Sequence, residues 1–387
     1  MRVFTPPPVT RLPRVGTTIF TVMSQLAAEL GAVNTGQGFP DFEPPERLCE
    51  LVALHLRSGH NQYAPMAGIL PLRQAIAAKV ARHYGRKACP DAEITVTCGG
   101  TEALASSIQA LVHPGDEVVL FEPAYDSYEP IVELCGGVVR RVPLSRPGFA
   151  IDWQRFADAI TPRTRLVIVN TPHNPSGACL SVADLDRLAE VLRDTTAYVL
   201  ADEVYEHMVF DGARHVSLNA HPELASRSIV ASSFGKTYHA TGWKIGYCVA
   251  PAALTVELRK VHQFVTFAIA TPLQYAIADF MTEHPEWEDE LSAFYSVKRD
   301  RLIDLLLPSR LVLVPARATY FQLVDYSAIS DLPDAEFALQ LIRTIGVATI
   351  PVSPFCERAP PGERLVRLCF AKQDATLVAA AERLVRL

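Results

Sequence analysis

Apolar runs of strand length recur through the middle of the chain, near residues 94–97, 117–121, 166–170, 198–202, 228–232 and 245–249. They are rich in Val, Ile and Leu and lack polar alternation, as expected of strands covered on both faces. The segments between them read as helices. This rhythm predicts an α/β fold in which a mostly parallel sheet is wrapped by helices. Nearer the amino end, Pro6, Pro7 and Pro8 lead into an amphipathic stretch whose Ile19, Met23, Leu26 and Leu30 fall on one helical face, and Gly31 marks its end. Towards the carboxyl end, a helical stretch from Glu286 to Leu307 bridges to Leu311–Val314, Tyr320–Val324 and Leu365–Phe370, which read as strands of a smaller α+β unit. The expected division is an N-terminal arm and helix (1–40) docking on a small domain (286–387), with a large domain (41–285) between.

Four of these segments carry candidate chemistry. Ile229, Val230 and Ala231 form a buried strand that delivers Lys236 to a loop of small residues. Burial there disfavours the ammonium and leaves an amine able to hold an aldehyde as a Schiff base, the alternative being an ordinary surface lysine among the seven of this chain. The apolar run Tyr198–Ala201 ends in Asp202, at the strand end where α/β proteins place ligands. A carboxylate there can keep a pyridine nitrogen protonated, or it can serve as a helix cap or a solvated strand end. Ile94–Thr97, then Gly99, Gly100 and Thr101, then a helix-forming stretch, make a strand-turn-helix whose free amides suit a phosphate. An ordinary βα turn capped by Thr101 has the same pattern. The strand Val167–Asn170 followed by Pro172, Asn174 and Pro175 places an asparagine able to donate to a ring oxygen, or forms a rigid turn.

Together these residues resemble the fold-type I pyridoxal-phosphate aminotransferases of class I and II. The likeness spans most of the chain and is nearest to the branch of bacterial methionine aminotransferase and the kynurenine/glutamine aminotransferases. It rests further on Gly36-Gln37-Gly38-Phe39-Pro40-Asp41-Phe42, Asn61-Gln62-Tyr63 and Gly235-Lys236-Thr237 with Thr241-Gly242-Trp243-Lys244. The resemblance implies a mostly parallel seven-stranded sheet with helices on both faces plus a smaller α+β domain. It implies that Lys236 holds pyridoxal 5'-phosphate as a Schiff base and, once freed, shuttles the substrate proton, while Asp202 pairs with the pyridinium. Asn174 and Tyr205 would bond the phenolic oxygen, Tyr125 would stack on the ring, and Gly100, Thr101, Ser233 and Lys244 would hold the phosphate. Lys244 stands where many aminotransferases have arginine, a choice shared by the methionine and kynurenine branch. Tyr63 matches a residue that reaches the neighbouring subunit's phosphate, which implies a homodimer with shared active sites; a core tyrosine is its other reading. Gly38, Asn174 and Arg367 would bind substrate, Arg367 clamping the α-carboxylate with its planar fork. Arg364 is the rival for that role.

No counterpart of the second, dicarboxylate-binding arginine is found, so the expected donor is a neutral amino acid of methionine, glutamine or aromatic type and the acceptor a 2-oxo acid, in a ping-pong exchange. Phe20, Tyr125, Phe267 and Phe355 are candidate aromatic walls. The chemical alternative is a C–S β-lyase on the same lysine, and a non-catalytic cofactor sensor is a further one, for which the first residues are too few and too weakly basic to supply a DNA-binding module. Bulk properties narrow the classes. With 387 residues, 49% hydrophobic and 20% charged residues and a net charge of −6, the composition is that of a soluble globular protein without a nucleic-acid footprint. Neither a bilayer-length apolar run nor a signal-peptide order is present, and eight scattered cysteines without a CxxC pair suit a reducing cytoplasm. The eleven histidines lack metal-ligand spacing, so no metal is expected.

Overall fold

Seven strands make the central sheet of the computed structural model, which describes residues 9–387; the proline run at 6–8 lies outside the described residues. In chain order they are β1 (Ile94–Thr97), β2 (Glu117–Glu122), β3 (Val138–Pro143), β4 (Thr164–Asn170), β5 (Tyr198–Asp202), β6 (Ser228–Ser233) and β7 (Gly246–Val249). Across the sheet the order is β1-β7-β6-β5-β4-β2-β3. All neighbours are parallel except β7, which runs antiparallel to both β1 and β6. The unbroken apolar runs have their cause in the two covered faces. Val118 and Leu120 of β2 pack with Leu104, Ile108 and Leu258 on one side, while Val119 and Phe121 pack with Leu185, Leu188 and Phe156 on the other.

Strand β3 is the one the apolar pattern did not predict. It lies at the sheet edge, where one flank is open, and its Arg140 and Arg141 pair with Glu117 and Glu122 of β2 at 2.8 and 3.1 Å. Charged side chains on an edge strand remove the hydrophobic signature while keeping the ladder.

The amphipathic stretch forms the helix Ile19–Leu30, closed by Gly31 at φ 60°. Met23 and Ala27 are its buried residues, and they join Leu291, Tyr295 and Leu302 of the helix Trp287–Leu306 and Phe321, Val324, Val366 and Leu368 in one core. Leu30, expected on the apolar face, is the last residue of the helix and is 52% exposed. The carboxyl-terminal strands form an antiparallel sheet in the order Ile350–Pro351, Leu365–Cys369, Phe321–Asp325, Val312–Leu313. Val33–Asn34, just past the first helix, pairs in parallel with Val347–Ala348, which ties the amino-terminal segment to this unit. Among the described residues no helix is long and apolar enough to cross a membrane.

Candidate active site

The parallel strands β4, β5 and β6 end side by side in Asn170, Asp202 and Ser233. A cavity of about 190 Å³ opens over these ends and is lined by Gly100, Thr101, Tyr125, Asn174, Asp202, Tyr205, Ser233, Lys236 and Lys244, nine of the residues singled out from the sequence. Leu104, Asn170, Val204 and Thr241 complete the lining.

Lys236 sits on a short helical turn, Phe234–Thr237, that follows β6 directly. Its Nζ donates to Tyr320 Oη at 2.7 Å and to the Gly38 carbonyl at 3.1 Å, and the Tyr320 hydroxyl donates to that same carbonyl at 2.6 Å. Burial pulls the lysine pKa down to about 8; Arg367 and Lys244 add to the fall and Asp202 opposes it. This is an amine in a protein pocket, not a solvated surface lysine.

Asp202 is 5% exposed, which excludes a solvated strand end. Burial pushes its pKa up to about 6, against the pull of the Tyr128 hydroxyl, which donates to Oδ2 at 2.6 Å, the Val204 amide at 3.4 Å and the charge of Lys236. The carboxylate is therefore mostly ionised at neutral pH. Asn170 ties two strand ends together, donating from Nδ2 to the Asp202 carbonyl at 2.9 Å and accepting the Asn174 amide at 2.8 Å.

Gly99, Gly100 and Thr101 begin the helix Gly99–Leu111, so their amides lack helical partners, and Gly100 and Thr101 line the cavity. Gly99 has φ +68°, and a Cβ there would stand 3.3 Å from Lys244 Nζ. Lys244 itself has φ 55°, which turns its side chain back over this helix start, where Nζ donates to Thr101 Oγ1 at 3.4 Å. A cation, a hydroxyl and a helix amino terminus thus converge on one spot.

Arg367 is 1% exposed on the strand Leu365–Cys369. Nη1 donates to Asn174 Oδ1 at 2.7 Å and Nη2 to the Gly36 carbonyl at 3.2 Å, while Nε has no partner. The guanidinium lies 3.8 Å from the centre of the Phe321 ring, with Phe20 and Phe355 at 5.3 and 5.5 Å. Arg364, its rival, lines a separate cavity beside Arg146. Gly38 must lack a side chain, since a Cβ would come within 2.9 Å of Phe321. Tyr205 is buried and Tyr125 half-buried in aromatic pairs, Tyr125 edge-on to Tyr128 and Tyr205 edge-on to Tyr320. Burial, helped by Asp126 and Asp202, raises the Tyr125 pKa to about 12.

Gly38 and Arg367 do not line the cavity themselves but bond Lys236 and Asn174, which do, whereas Tyr63 and Phe267 stand apart. Tyr63 is 84% exposed and meets Phe267 edge-on at 5.3 Å, so it is no core tyrosine and does not line this chain's own cavity. Phe267, offered as an aromatic wall, goes with it; Phe20 and Phe355 pack beside Arg367 as described. Tyr128, Tyr320 and Thr241 were missed. Tyr128 lay within the segment already marked by Tyr125, but Tyr320 carried no local signal, because only the packing of the carboxyl-terminal strands brings it to Lys236. Among the described residues no group of three or more His, Cys, Asp or Glu side chains is placed to hold a metal ion.

The sheet order, the lysine turn after β6 and the arginine of the smaller sheet define a class of amino-group-transferring enzymes. The chain belongs to the family described as aminotransferase class I and II, which matches residues 31–384. It is 52% identical over 380 residues to the methionine aminotransferase of Escherichia coli, covering 98% of each chain. It is 41% identical to a probable N-succinyldiaminopimelate aminotransferase of Mycobacterium tuberculosis, over 97% of each, and 34% identical to a kynurenine–oxoglutarate transaminase of Dictyostelium discoideum, over 96% of this chain and 94% of that one. A crystal structure of the Escherichia coli enzyme, reported to have a methionine aminotransferase function, superposes with a TM-score of 0.97 over 99% of this chain and all of that one. Members of this family work with pyridoxal 5'-phosphate, and the residues lining the cavity fit it: an amine, a buried carboxylate and a helix start with Lys244.

Proposed function

We propose that this chain transfers the α-amino group of a neutral L-amino acid, of methionine, glutamine or aromatic type, to a 2-oxo acid with pyridoxal 5'-phosphate, as a cytoplasmic homodimer. The observation that carries the reading is that the Lys236 amine, with its pKa near 8, lines the cavity while the buried Arg367 fork bonds Asn174 of the same lining at 2.7 Å.

Lys236 Nζ would hold the cofactor's aldehyde carbon and Asp202 its ring nitrogen; Asn174 and Tyr205 would hold the phenolic oxygen and Tyr125 the ring face. Gly100, Thr101, Ser233 and Lys244 would hold the phosphate, with Tyr63 reaching it from the partner subunit, which accounts for a tyrosine 84% exposed in the single chain. When bound, the group supplies an electron sink for the pair left behind by a departing α-proton.

The rest is the work of the chain. Arg367 offers its unpartnered Nε to an α-carboxylate and keeps Nη1 on Asn174, which fixes the fork's orientation. Lys236, able to gain or lose a proton near neutral pH, can take a proton at Nζ and return it to a neighbouring carbon. Tyr320 and the Gly38 carbonyl hold that nitrogen in place. Phe20, Phe321 and Phe355 surround Arg367 with apolar surface, a setting that suits an uncharged substrate side chain better than a carboxylate. We assign residues 41–285 to the cofactor-binding domain and 286–387, with the docked helix of 1–40, to the domain that carries Arg367.

Purified protein supplied with pyridoxal 5'-phosphate and a panel of amino donors tests this reading. Methionine, glutamine and aromatic donors are expected to yield their 2-oxo acids with stoichiometric amination of the acceptor, and Lys236→Ala to yield none. Ammonia and pyruvate released from cysteine conjugates without amination of an acceptor would refute it.

A further inference from the structure

Behind the cavity, on the face of β6 opposite Ser233, lies a charged group that the proposed reaction does not use. Strand alternation points Ser233 into the cavity and Ser232 away from it, towards Glu206. Glu206 is 5% exposed and accepts from four donors on three elements. Lys79 Nζ lies 2.5 Å from Oε1 and the Tyr84 hydroxyl bonds Oε2, both from the helix Leu70–Tyr84; Ser232 comes from β6 and Tyr247, at 3.2 Å, from β7. Ser232 and Tyr247 are cross-strand partners, and Lys79, 3% exposed, also donates to the Tyr247 hydroxyl at 2.5 Å. His207 Nε2 stands 3.8 Å from the same carboxylate, and burial holds that ring neutral, with its pKa lowered to about 3.

We propose that the buried Lys79–Glu206 pair is a positioning device that sets the segment carrying Lys236 against the turn carrying Asp202 and Tyr205. It rests on reading Lys236 as the reactive amine. Glu206 follows Tyr205 directly, and its side chain grips Ser232, one residue before Ser233 and four before Lys236. One carboxylate therefore spans the gap between the two chain segments that must face each other across the cavity. A buried ion pair is a poor source of stability compared with apolar residues of the same size, so its use here is better explained by register than by stability. Its directional bonds to hydroxyls of two strands fix that register, which an apolar contact would leave free to slide.

The test uses the full chain as Glu206→Gln, Lys79→Met and the double variant. For the holoenzyme, each single variant is expected to lose about tenfold or more in kcat, with KM for the amino donor within about threefold of wild type, the signature of lost positioning and not of lost binding. The second readout needs no cofactor: the pH midpoint of Lys236 labelling by an amine-selective reagent, followed by mass spectrometry. Glu206→Gln leaves Lys79 opposed only by the more distant buried Glu288 and moves the midpoint down, Lys79→Met leaves the Glu206 charge without its cation and moves it up, and the double variant returns it near wild type. Shifts of opposite sign would not arise from a general loosening of the fold. Ser232→Ala, which keeps the pair and removes one strand contact, is expected to lower kcat alone by about threefold and serves if either charge variant fails to fold. A folded single variant or Ser232→Ala with wild-type kcat, or lost kcat with an unmoved midpoint, overturns the proposal. Absence of transamination in the wild-type enzyme would instead refute the functional reading, and the midpoints would still report on the pair.

Discussion

Lowering the pH over the cofactor-free chain should reveal Lys236 among all its lysines. Burial places its pKa at about 8 in place of 10.5. At pH 7 about one amine in eleven is then unprotonated, against about one in three thousand for a free lysine side chain, an enrichment of roughly 300-fold in the nucleophilic form. The assay is pulsed labelling at a series of pH values with an amine-selective reagent, read at each lysine by mass spectrometry. Partial burial slows the reagent equally at every pH, so the midpoint of the profile carries the information. A midpoint near 8 at position 236 supports the reasoning; one near 10.5 would refute it and with it the desolvated pocket. The same shift has a stability consequence. The unfolded chain binds the extra proton between pH 8 and 10.5, so stability rises with pH across that window. Below pH 8 the full burial penalty, roughly 3 kcal/mol, is present, and Lys236→Met should recover part of it in denaturant titrations at pH 7.

Three further outcomes are expected. Arg367→Lys replaces a planar fork by a point charge and should lower kcat/KM for the amino donor about 30-fold or more, seen in initial rates, while a neutral amine lacking the carboxylate loses much less. Tyr128→Phe removes the 2.6 Å bond to Asp202 and should cost roughly 2 kcal/mol at pH 8, where that carboxylate is charged, but about 1 kcal/mol at pH 5, below its pKa of about 6, in urea unfolding at the two pH values. Gly99→Ala forces a side chain into φ +68° with its Cβ 3.3 Å from Lys244 Nζ, so thermal unfolding should show a loss of about 1 kcal/mol or more together with weaker phosphate-dependent cofactor retention.

Six of the seven strands of the central sheet were legible because they are covered on both faces: burial of both sides demands unbroken apolar runs, and such runs survive in one dimension. Lys236, Asp202, Gly100 and Thr101 were legible for a related reason, since each sits where one of those runs stops and α/β sheets put their chemistry at strand ends. Strand β3 was not, because an edge exchanges apolar residues for charge.

What the linear order of residues decided on its own was local: where strands end, which turn needs glycine, which helix has an apolar face. What it left to the fold was every relation across long separations. Tyr320 reaches Lys236 from 84 residues away and Arg367 reaches Asn174 from 193, while Glu206 gathers Lys79, Ser232 and Tyr247 from three different elements. Tyr63, read as phosphate-binding, lies outside its own chain's cavity altogether. Hydrogen bonds and charge pairs depend on distances of a few ångströms, and those distances exist only once sheet and helices have packed, so no periodicity along the chain encodes them.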